Sequence, residues 1–153
     1  MPKFRFQLEA VLTQRLAIER QKQLALGELE RLRLALEDRL RGFQHAISTE
    51  KADLRAALSP GSSLRPSNVR MQANMSLHFT AKAQQAVYQL AALHRKLEVA
   101  RRDLLEATTR RKAVENLKER RYEAWKAEQA AREAGALDEI GVMGFAARQE
   151  QEV

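Results

Sequence analysis

Apolar residues recur every three to four positions along the first third of the chain, with charged and polar residues between them. The recurring positions are Phe4, Leu8, Val11, Ile18, Ala25, Leu29, Leu32, Leu36, Leu40, Phe43, Ile47, Leu54 and Leu58. This stretch lacks proline, and its glycines are Gly27 and Gly42. The spacing predicts one amphipathic helix over residues 4–58, which would be roughly 80 Å long. The four-residue step from Leu36 to Leu40 predicts local unwinding of a coiled coil.

One break interrupts this pattern. Residues 59–67 read Ser-Pro-Gly-Ser-Ser-Leu-Arg-Pro-Ser, and prolines with a glycine typically end one helix and start another. Ser67 or Asn68 is suited to cap the helix that follows. We expect this second helix over residues 68–134. A short turn between two long amphipathic helices predicts an antiparallel hairpin.

The second helix has its own apolar stripe, in which leucine alternates with alanine. The stripe consists of Phe79, Ala83, Ala86, Leu90, Leu93, Leu97, Ala100, Leu104, Ala107 and Val114. Small alanines let two helices approach closely, so pairing in a left-handed coiled coil is expected. Gly135 is expected to end the helix. Residues 135–153, which include Gly141 and Gly144, are expected to form a flexible acidic tail.

The apolar stripe weakens toward the end of the hairpin that holds both chain termini. Stripe positions there are occupied by Arg111, Lys118, Arg121 and Trp125 on the second helix, and by Arg15 and Lys22 on the first. Burying an unpaired charge is costly, so these basic side chains must reach outward or meet acidic groups. A stripe that weakens at one end favours a partner protein that grips that end.

Composition agrees with a coiled coil rather than a globular domain. Charged residues make up 31% of the chain and aromatic residues 5%, which is typical of long helices that pair along one stripe. The predicted fold is therefore all-α, a single domain over residues 1–153 built as a two-helix antiparallel coiled-coil hairpin.

Charge is distributed unevenly. The net charge of +7 combines basic long segments with an acidic end over residues 127–153, and residues 59–88 contain no acid. A basic surface favours an acidic partner. Cysteine is absent, and no apolar run approaches the roughly 20 residues that span a bilayer. The N-terminus does not read as a secretory signal. We therefore expect a cytoplasmic protein without stable membrane insertion.

The residues of the chain offer little for catalysis. His45, His78 and His94 are far apart and lack neighbours at metal-binding spacing. There is no phosphate-binding loop and no nucleophile elbow. We expect neither catalytic residues, nor a metal, nor a cofactor, and we interpret the chain as not being an enzyme.

The basic stretch 110–121 could contact nucleic acid. However, it includes Glu115 and Glu119, and DNA-binding helices usually lack acids interleaved among their basic residues. A basic nucleic-acid-binding coiled coil is therefore the less favoured alternative, and no nucleic-acid partner is expected.

Aromatic residues concentrate at the end of the hairpin that holds both chain termini. Phe4 and Phe6 precede the first helix, and Tyr122 and Trp125 lie late in the second. Two interpretations stay open. The phenylalanines could clasp Tyr122 or Trp125 across the hairpin, or they could insert into a partner as apolar anchors.

Two local motifs resemble a known family. The first is Phe4-Arg-Phe6-Gln-Leu8-Glu9-Ala-Val11-Leu12-Thr-Gln-Arg15, with Glu19 one turn further on. The second is Arg111-Lys112-Ala-Val114-Glu115-Asn-Leu117-Lys118-Glu119-Arg120, followed by Leu137-Asp138-Glu139-Ile140. Their order and spacing resemble the FliJ family of bacterial flagellar export proteins.

The resemblance implies a coiled coil similar to the gamma-subunit stalk of rotary ATPases. It implies a cytoplasmic component of the flagellar type III export apparatus, needed for flagellum assembly and motility and associated with the inner face of the membrane. The implied partners are the hexameric export ATPase, the membrane export gate, and export chaperones or substrates. The residues expected at the ATPase are Phe4, Phe6, Leu8, Arg111, Lys112, Lys118, Arg120, Arg121 and Trp125.

The opposite end of the hairpin carries side chains larger than a two-helix stripe needs. They are Phe43, Ile47, Leu54, Met75 and Phe79. We hypothesise that part of this set contacts the export gate. The alternatives are the stalk protein of a virulence-type secretion system and a passive scaffold or chaperone for export substrates.

Overall fold

The computed structural model describes the backbone of residues 3–61, 63 and 65–151, and the side chains of the same residues up to 143. Two helices are present in this described part, α1 over Glu9–Ala57 and α2 over Pro66–Gln151, and it contains no strand. The fold is an all-α helical hairpin of the coiled-coil type, as predicted. Within the described residues, neither helix includes a stretch long and apolar enough to cross a bilayer.

Helix α1 begins at Glu9 rather than at residue 4. Residues 3–6 are not helical, and the amide of Glu9 donates to the carbonyl of Phe6 at 3.2 Å. Phe4 and Phe6 are both turned toward α2, one half-buried and one buried. An extended segment places alternate residues on one side, whereas a helix would separate the two phenylalanines by 200°.

The turn between the helices contains Gly61 with a φ of 95°, a conformation that glycine adopts without steric cost. Helix α2 then begins at Pro66, two residues earlier than expected, because proline is well suited to the first helical position. The amide of Asn68 donates to the carbonyl of Arg65 at 3.0 Å. Ser67 and Asn68 therefore lie in the first turn of α2 and not at its cap. Ser62 and Leu64 lie outside the described residues.

Helix α2 continues past Gly135 and Gly141 to Gln151, so the expected end at residue 134 and the flexible tail over 135–153 differ from the structure. A glycine inside a helix costs only about 1 kcal/mol relative to alanine. The neighbours of Gly135 are Ala134 and Ala136, which favour the helix. The last two residues of the expected tail, 152 and 153, lie outside the described part.

The chain divides into two compact units, and the single domain expected over residues 1–153 stays a prediction. Unit 1 comprises Met1–Glu19 and Ala107–Val153, and unit 2 comprises Arg20–Glu106. In each unit an N-terminal segment runs antiparallel to a segment of α2. The units are described separately below.

The core of unit 2 is a leucine cluster. Leu36, Leu93 and Leu97 are buried, and Leu26, Leu29 and Leu90 pack against them. Every predicted stripe position of α2 is buried or half-buried. On α1 the stripe deviates locally: Leu26 and Arg33 turn inward, while the predicted Ala25 and Leu32 are exposed. The reason is that inward positions must follow the seven-residue repeat imposed by the partner helix.

Cross-helix ion pairs flank this core. Lys22 Nζ lies 3.0 Å from Asp103 Oδ2, and Arg101 Nη2 lies 2.6 Å from Glu30 Oε1. Glu30 also pairs with Arg33 at 2.7 Å. The hydrogen bonds from Arg101 and then Arg33 lower the pKa of Glu30 below its ordinary value. Residue numbers rise along α1 as they fall along α2, which is the antiparallel arrangement.

Candidate functional site

An aromatic clasp closes unit 1. The Phe4 ring meets Tyr122 edge-on with centroids 5.4 Å apart, and it lies 5.8 Å from the ring of Trp125. Tyr122 and Trp125 are themselves stacked at 6.0 Å. These distances fall in the range in which aromatic pairs attract each other. Of the two interpretations left open by the sequence, the structure contains the internal clasp.

Phe6 belongs to the core of unit 1. It is buried together with Leu12 and Ala107. Lys118 Nζ and Arg121 Cζ each lie 5.9 Å from the centre of its ring. This distance allows a cation–π attraction worth about 0.5–1 kcal/mol at an exposed site. Phe6 therefore attracts two of the basic residues predicted to contact the ATPase. Leu8, two residues further along the chain, is half-buried.

Two of the predicted partner-binding cations are engaged inside the unit. Lys118 Nζ lies 2.8 Å from Glu9 Oε2. Arg111 forms ion pairs with Glu19 and Glu115, and its side chain is only 17% exposed. These pairs follow from the expectation that basic side chains at stripe positions need acidic neighbours. Arg111 is thus part of the packing of unit 1.

Glu19 is the acidic residue that sequence reasoning did not assign to the core. It is buried, and the hydroxyl of Thr108 donates to its Oε1 at 2.7 Å. A signal was present: Leu12, Glu19 and Leu26 are spaced by seven residues, the repeat of a coiled-coil stripe. The hydrogen bond from Thr108, followed by the contacts with Arg111, lowers the pKa of Glu19 below its ordinary value of 4.5.

This lowered pKa predicts acid sensitivity. The charged form of Glu19 stabilises the folded state above the ordinary pKa, and the stabilisation is lost as the pH falls through the lower pKa of the folded state. In Glu19→Gln the midpoint of thermal unfolding should fall less between about pH 7 and about pH 3 than in the wild type. Glu128→Gln is the control, since Glu128 is exposed and pairs with Arg132 of the same helix. An equal fall in wild type and Glu19→Gln would contradict the prediction.

The exposed basic residues of unit 1 are the ones available to a partner. Lys112, Arg120 and Arg121 are exposed. At about 100° per residue, Arg120 lies about 80° and Arg121 about 180° around α2 from Lys112, so the three spread over about half of the helix circumference. Trp125 is half-buried at the edge of the clasp.

The end of α2 carries a surface that the sequence led us to place in a flexible tail. All side chains over residues 130–143 are exposed. They include Leu137, Ile140, Val142 and Met143, each between 66% and 70% exposed. Helical periodicity past Gly135 could have indicated this continuation of α2, since Leu137 and Ile140 lie one turn apart.

Unit 2 contains an open groove of about 610 Å³ near the start of α2. It is lined by Ser67, Arg70, Met71, Asn74, Met75, His78 and Phe79. Met71 is 66% exposed and Met75 is 41% exposed. Of the residues predicted to contact the export gate, Met75 and Phe79 meet here.

The remaining predicted gate residues are placed elsewhere. Phe43 lines a second groove of about 330 Å³ together with Arg39 and Lys82. Ile47 and Leu54 are half-buried on α1. In the described part of the chain, no three histidine or acidic side chains are grouped so that they could hold a metal ion.

Comparison with known proteins identifies the family. The family model described as "Flagellar FliJ protein" matches residues 4–150. Neither the search of curated proteins nor the search of solved structures finds a match. The resemblance seen in the two sequence motifs is thereby confirmed over nearly the whole chain. The chain belongs to the FliJ family, whose members are non-catalytic components of the flagellar type III export apparatus.

Proposed function

We propose that this protein is a stalk that binds the hexameric flagellar export ATPase through unit 1 and couples it to the membrane export gate. Family membership supports a place in the export apparatus. The proposed location is the cytoplasmic face of the membrane, by peripheral association. The match to a flagellar family favours this system over the virulence-type alternative.

The observation that carries the proposal is the arrangement of exposed basic side chains on α2 in unit 1. Lys112, Arg120 and Arg121 are exposed on different sides of the helix. The aromatic clasp and the buried Phe6 pack the N-terminal segment against the same part of α2. A flat acidic surface would not meet both Lys112 and Arg121, because they lie on opposite sides of α2, whereas a ring with a partly acidic central pore would meet both.

A single helix pair cannot make the same contacts with six identical subunits at once. It must contact them unequally, and unequal contacts shift the subunits between nucleotide states by their difference in affinity. The stalk would therefore raise the rate of ATP hydrolysis by stabilising an asymmetric or assembled ring, without donating a catalytic group or a cofactor.

The test is ATP hydrolysis by the purified export ATPase, measured with and without this protein. We expect the rate to rise, and the stimulation to weaken with added salt because exposed charges are screened. Unchanged hydrolysis together with binding of export cargo would favour the passive chaperone. Tight duplex DNA binding with a steep salt dependence would favour the nucleic-acid alternative.

We further propose that the groove lined by Met71, Met75 and Phe79 takes the export gate. Methionine side chains are flexible and polarisable, and they suit partner surfaces that must adapt. Residues 59–88 contain basic side chains and no acid, which favours an acidic rim on the gate.

The double variant Met71→Ala with Met75→Ala should weaken binding to the cytoplasmic domain of the gate roughly tenfold, as truncation of interface anchors does. Stimulation of the ATPase should be unchanged. Leu77→Ala is the matched control, because Leu77 is 68% exposed on the same helix and does not line this groove. Isothermal titration calorimetry with the gate domain measures the affinity of the double variant and of Leu77→Ala. Equal weakening by Leu77→Ala, or no effect of the double variant, would exclude the groove. Phe79→Ala is less informative, since Phe79 is half-buried and its loss alters packing.

A further inference from the structure

A basic groove lies between α1 and α2 in unit 2, and we call it the Arg39–Lys82 groove. It has a volume of about 330 Å³ and is lined by both helices. The lining residues are Arg39 and Phe43 from α1 and His78, Lys82, Gln85, Ala86 and Gln89 from α2. None of these lining residues is acidic, so nothing in the groove itself balances its positive charge.

The sequence explains why the groove is short of acids. Residues 66–97 of α2 include no aspartate or glutamate. On α1, the two acids that precede the arginine of the groove are already engaged. Asp38 pairs with Arg41 at 2.8 Å. Glu37 pairs with Arg33 at 2.9 Å. The acids close to the groove in sequence therefore have cations of their own.

Two cations from different helices share this groove. Arg39 and Lys82 are both exposed, and neither has an ion-pair partner among the described residues. Glu50, the next acid toward the turn on α1, does not line the groove. Cross-helix pairs elsewhere in unit 2 join opposite charges, as Lys22 with Asp103 does. Like charges repel each other, and a bound anion would replace this repulsion by attraction to both helices.

The groove offers hydrogen-bond donors as well as charge. The guanidinium of Arg39 is a planar fork of N–H groups, and the ammonium of Lys82 adds further donors. The imidazole of His78 and the side-chain amides of Gln85 and Gln89 can also donate. A phosphate group has more acceptor oxygens than a carboxylate, and its geometry suits the arginine fork. Donors that converge from two helices therefore match a phosphate group.

We propose that the Arg39–Lys82 groove binds a phosphate group, carried either by a soluble phosphate or by the headgroup of an anionic phospholipid. The bound phosphate accepts hydrogen bonds from Arg39 on one helix and from Lys82 on the other, and so joins α1 to α2. This site goes beyond the stalk function and does not depend on it, since the test uses the isolated protein without the ATPase or the gate.

The first measurement is thermal unfolding of the isolated protein, with inorganic phosphate added in exchange for chloride at constant ionic strength. A ligand that binds only the folded state raises the unfolding midpoint as its concentration rises. The rise should be smaller in Arg39→Gln and in Lys82→Gln than in the wild type. Calorimetric titration with phosphate should show about tenfold weaker binding in each variant, as the loss of a hydrogen bond to a charged group does.

Lys96→Gln is the matched control. Lys96 is an exposed lysine of the same helix, fourteen residues beyond Lys82, and it does not line the groove. Phosphate also stabilises folded proteins in general because it is excluded from their surface. Lys96→Gln keeps this general effect together with the groove, so its midpoint should rise as much as that of the wild type.

A second variant tests the repulsion between the two cations. Lys82→Glu would place an acid opposite Arg39. In phosphate-free buffer of low ionic strength, its unfolding midpoint should exceed that of the wild type, because attraction replaces repulsion and screening is weak. Added phosphate should raise its midpoint no more than that of Lys82→Gln. A variant that merely folded badly would show a lower midpoint in both buffers.

Vesicle sedimentation separates the two sources of phosphate. The vesicles consist of phosphatidylcholine with or without phosphatidic acid. Binding to the phosphatidic acid vesicles that is lost in Lys82→Gln would assign the site to a lipid headgroup. Binding of inorganic phosphate without binding to these vesicles would assign it to a soluble phosphate.

Three outcomes overturn the proposal. Equal rises of the midpoint in the wild type and Lys82→Gln would mean that phosphate acts only through its general effect. If acetate raises the midpoint as much as phosphate does, the groove takes carboxylates, such as acidic side chains of a partner protein. A midpoint of Lys82→Glu no higher than that of the wild type in phosphate-free buffer would mean that the two cations do not share one anion site.

Discussion

Reversing the charges of Lys112, Arg120 and Arg121 to glutamate together is expected to abolish the stimulation of the export ATPase. All three side chains are exposed, so the variant should stay helical by circular dichroism. The glutamates introduced at these positions would repel an acidic pore, whereas the native basic side chains attract it. Sequence reasoning alone would have chosen Arg111 as a target, but Arg111 is engaged with Glu19 and Glu115. Replacing Arg111 would disturb the fold, so that a loss of ATPase stimulation could not be assigned to a lost contact with the ATPase.

The matched control reverses Arg31, Arg95 and Lys96, which are exposed side chains of unit 2. It changes the net charge by the same amount and exchanges the same residue types. Stimulation should be retained in this control. If the Lys112, Arg120 and Arg121 variant stimulates ATP hydrolysis as the wild type does, these side chains face only solvent and do not contact the ATPase.

Leu97→Ala is expected to cause the largest loss of stability. Leu97 is 1% exposed and packs with Leu36 and Leu93. Truncation of a buried leucine costs about 2–5 kcal/mol, because transfer free energy is lost and a cavity remains. A whole domain is typically stable by only about 5–15 kcal/mol, so this variant should unfold at much lower urea concentration.

Leu24→Ala serves as its control, since Leu24 is 64% exposed in the same unit. Surface substitutions usually change the free energy of unfolding by less than about 0.5 kcal/mol. Urea titration followed by circular dichroism measures both variants. Similar losses for Leu24→Ala and Leu97→Ala would mean that the leucine cluster is not the core of unit 2.

The candidate site could be predicted only in part. Motif resemblance indicated the terminal segments, and the basic residues near the end of α2 were apparent from composition. The sequence could not separate Arg111 and Lys118 from Lys112 and Arg120, because charge alone does not tell which side of a helix faces its neighbour. That distinction depends on the acids across the interface, Glu19 and Glu9. The contacts with the ATPase and the gate remain predictions.

The sequence by itself determined the two helices, the turn between them and the apolar stripe of α2. These features depend on local preferences: glycine and proline end helices, and apolar spacing indicates the face that must leave water. Only the tertiary structure decided that Phe4 and Phe6 pack inward, that Glu19 is buried, and that α2 continues past Gly135. The first two outcomes depend on pairs of residues about 90 to 120 positions apart in sequence, such as Glu19 with Thr108 and Phe4 with Tyr122. The third depends on a small difference between the cost of a glycine inside a helix and the helix preference of its neighbours.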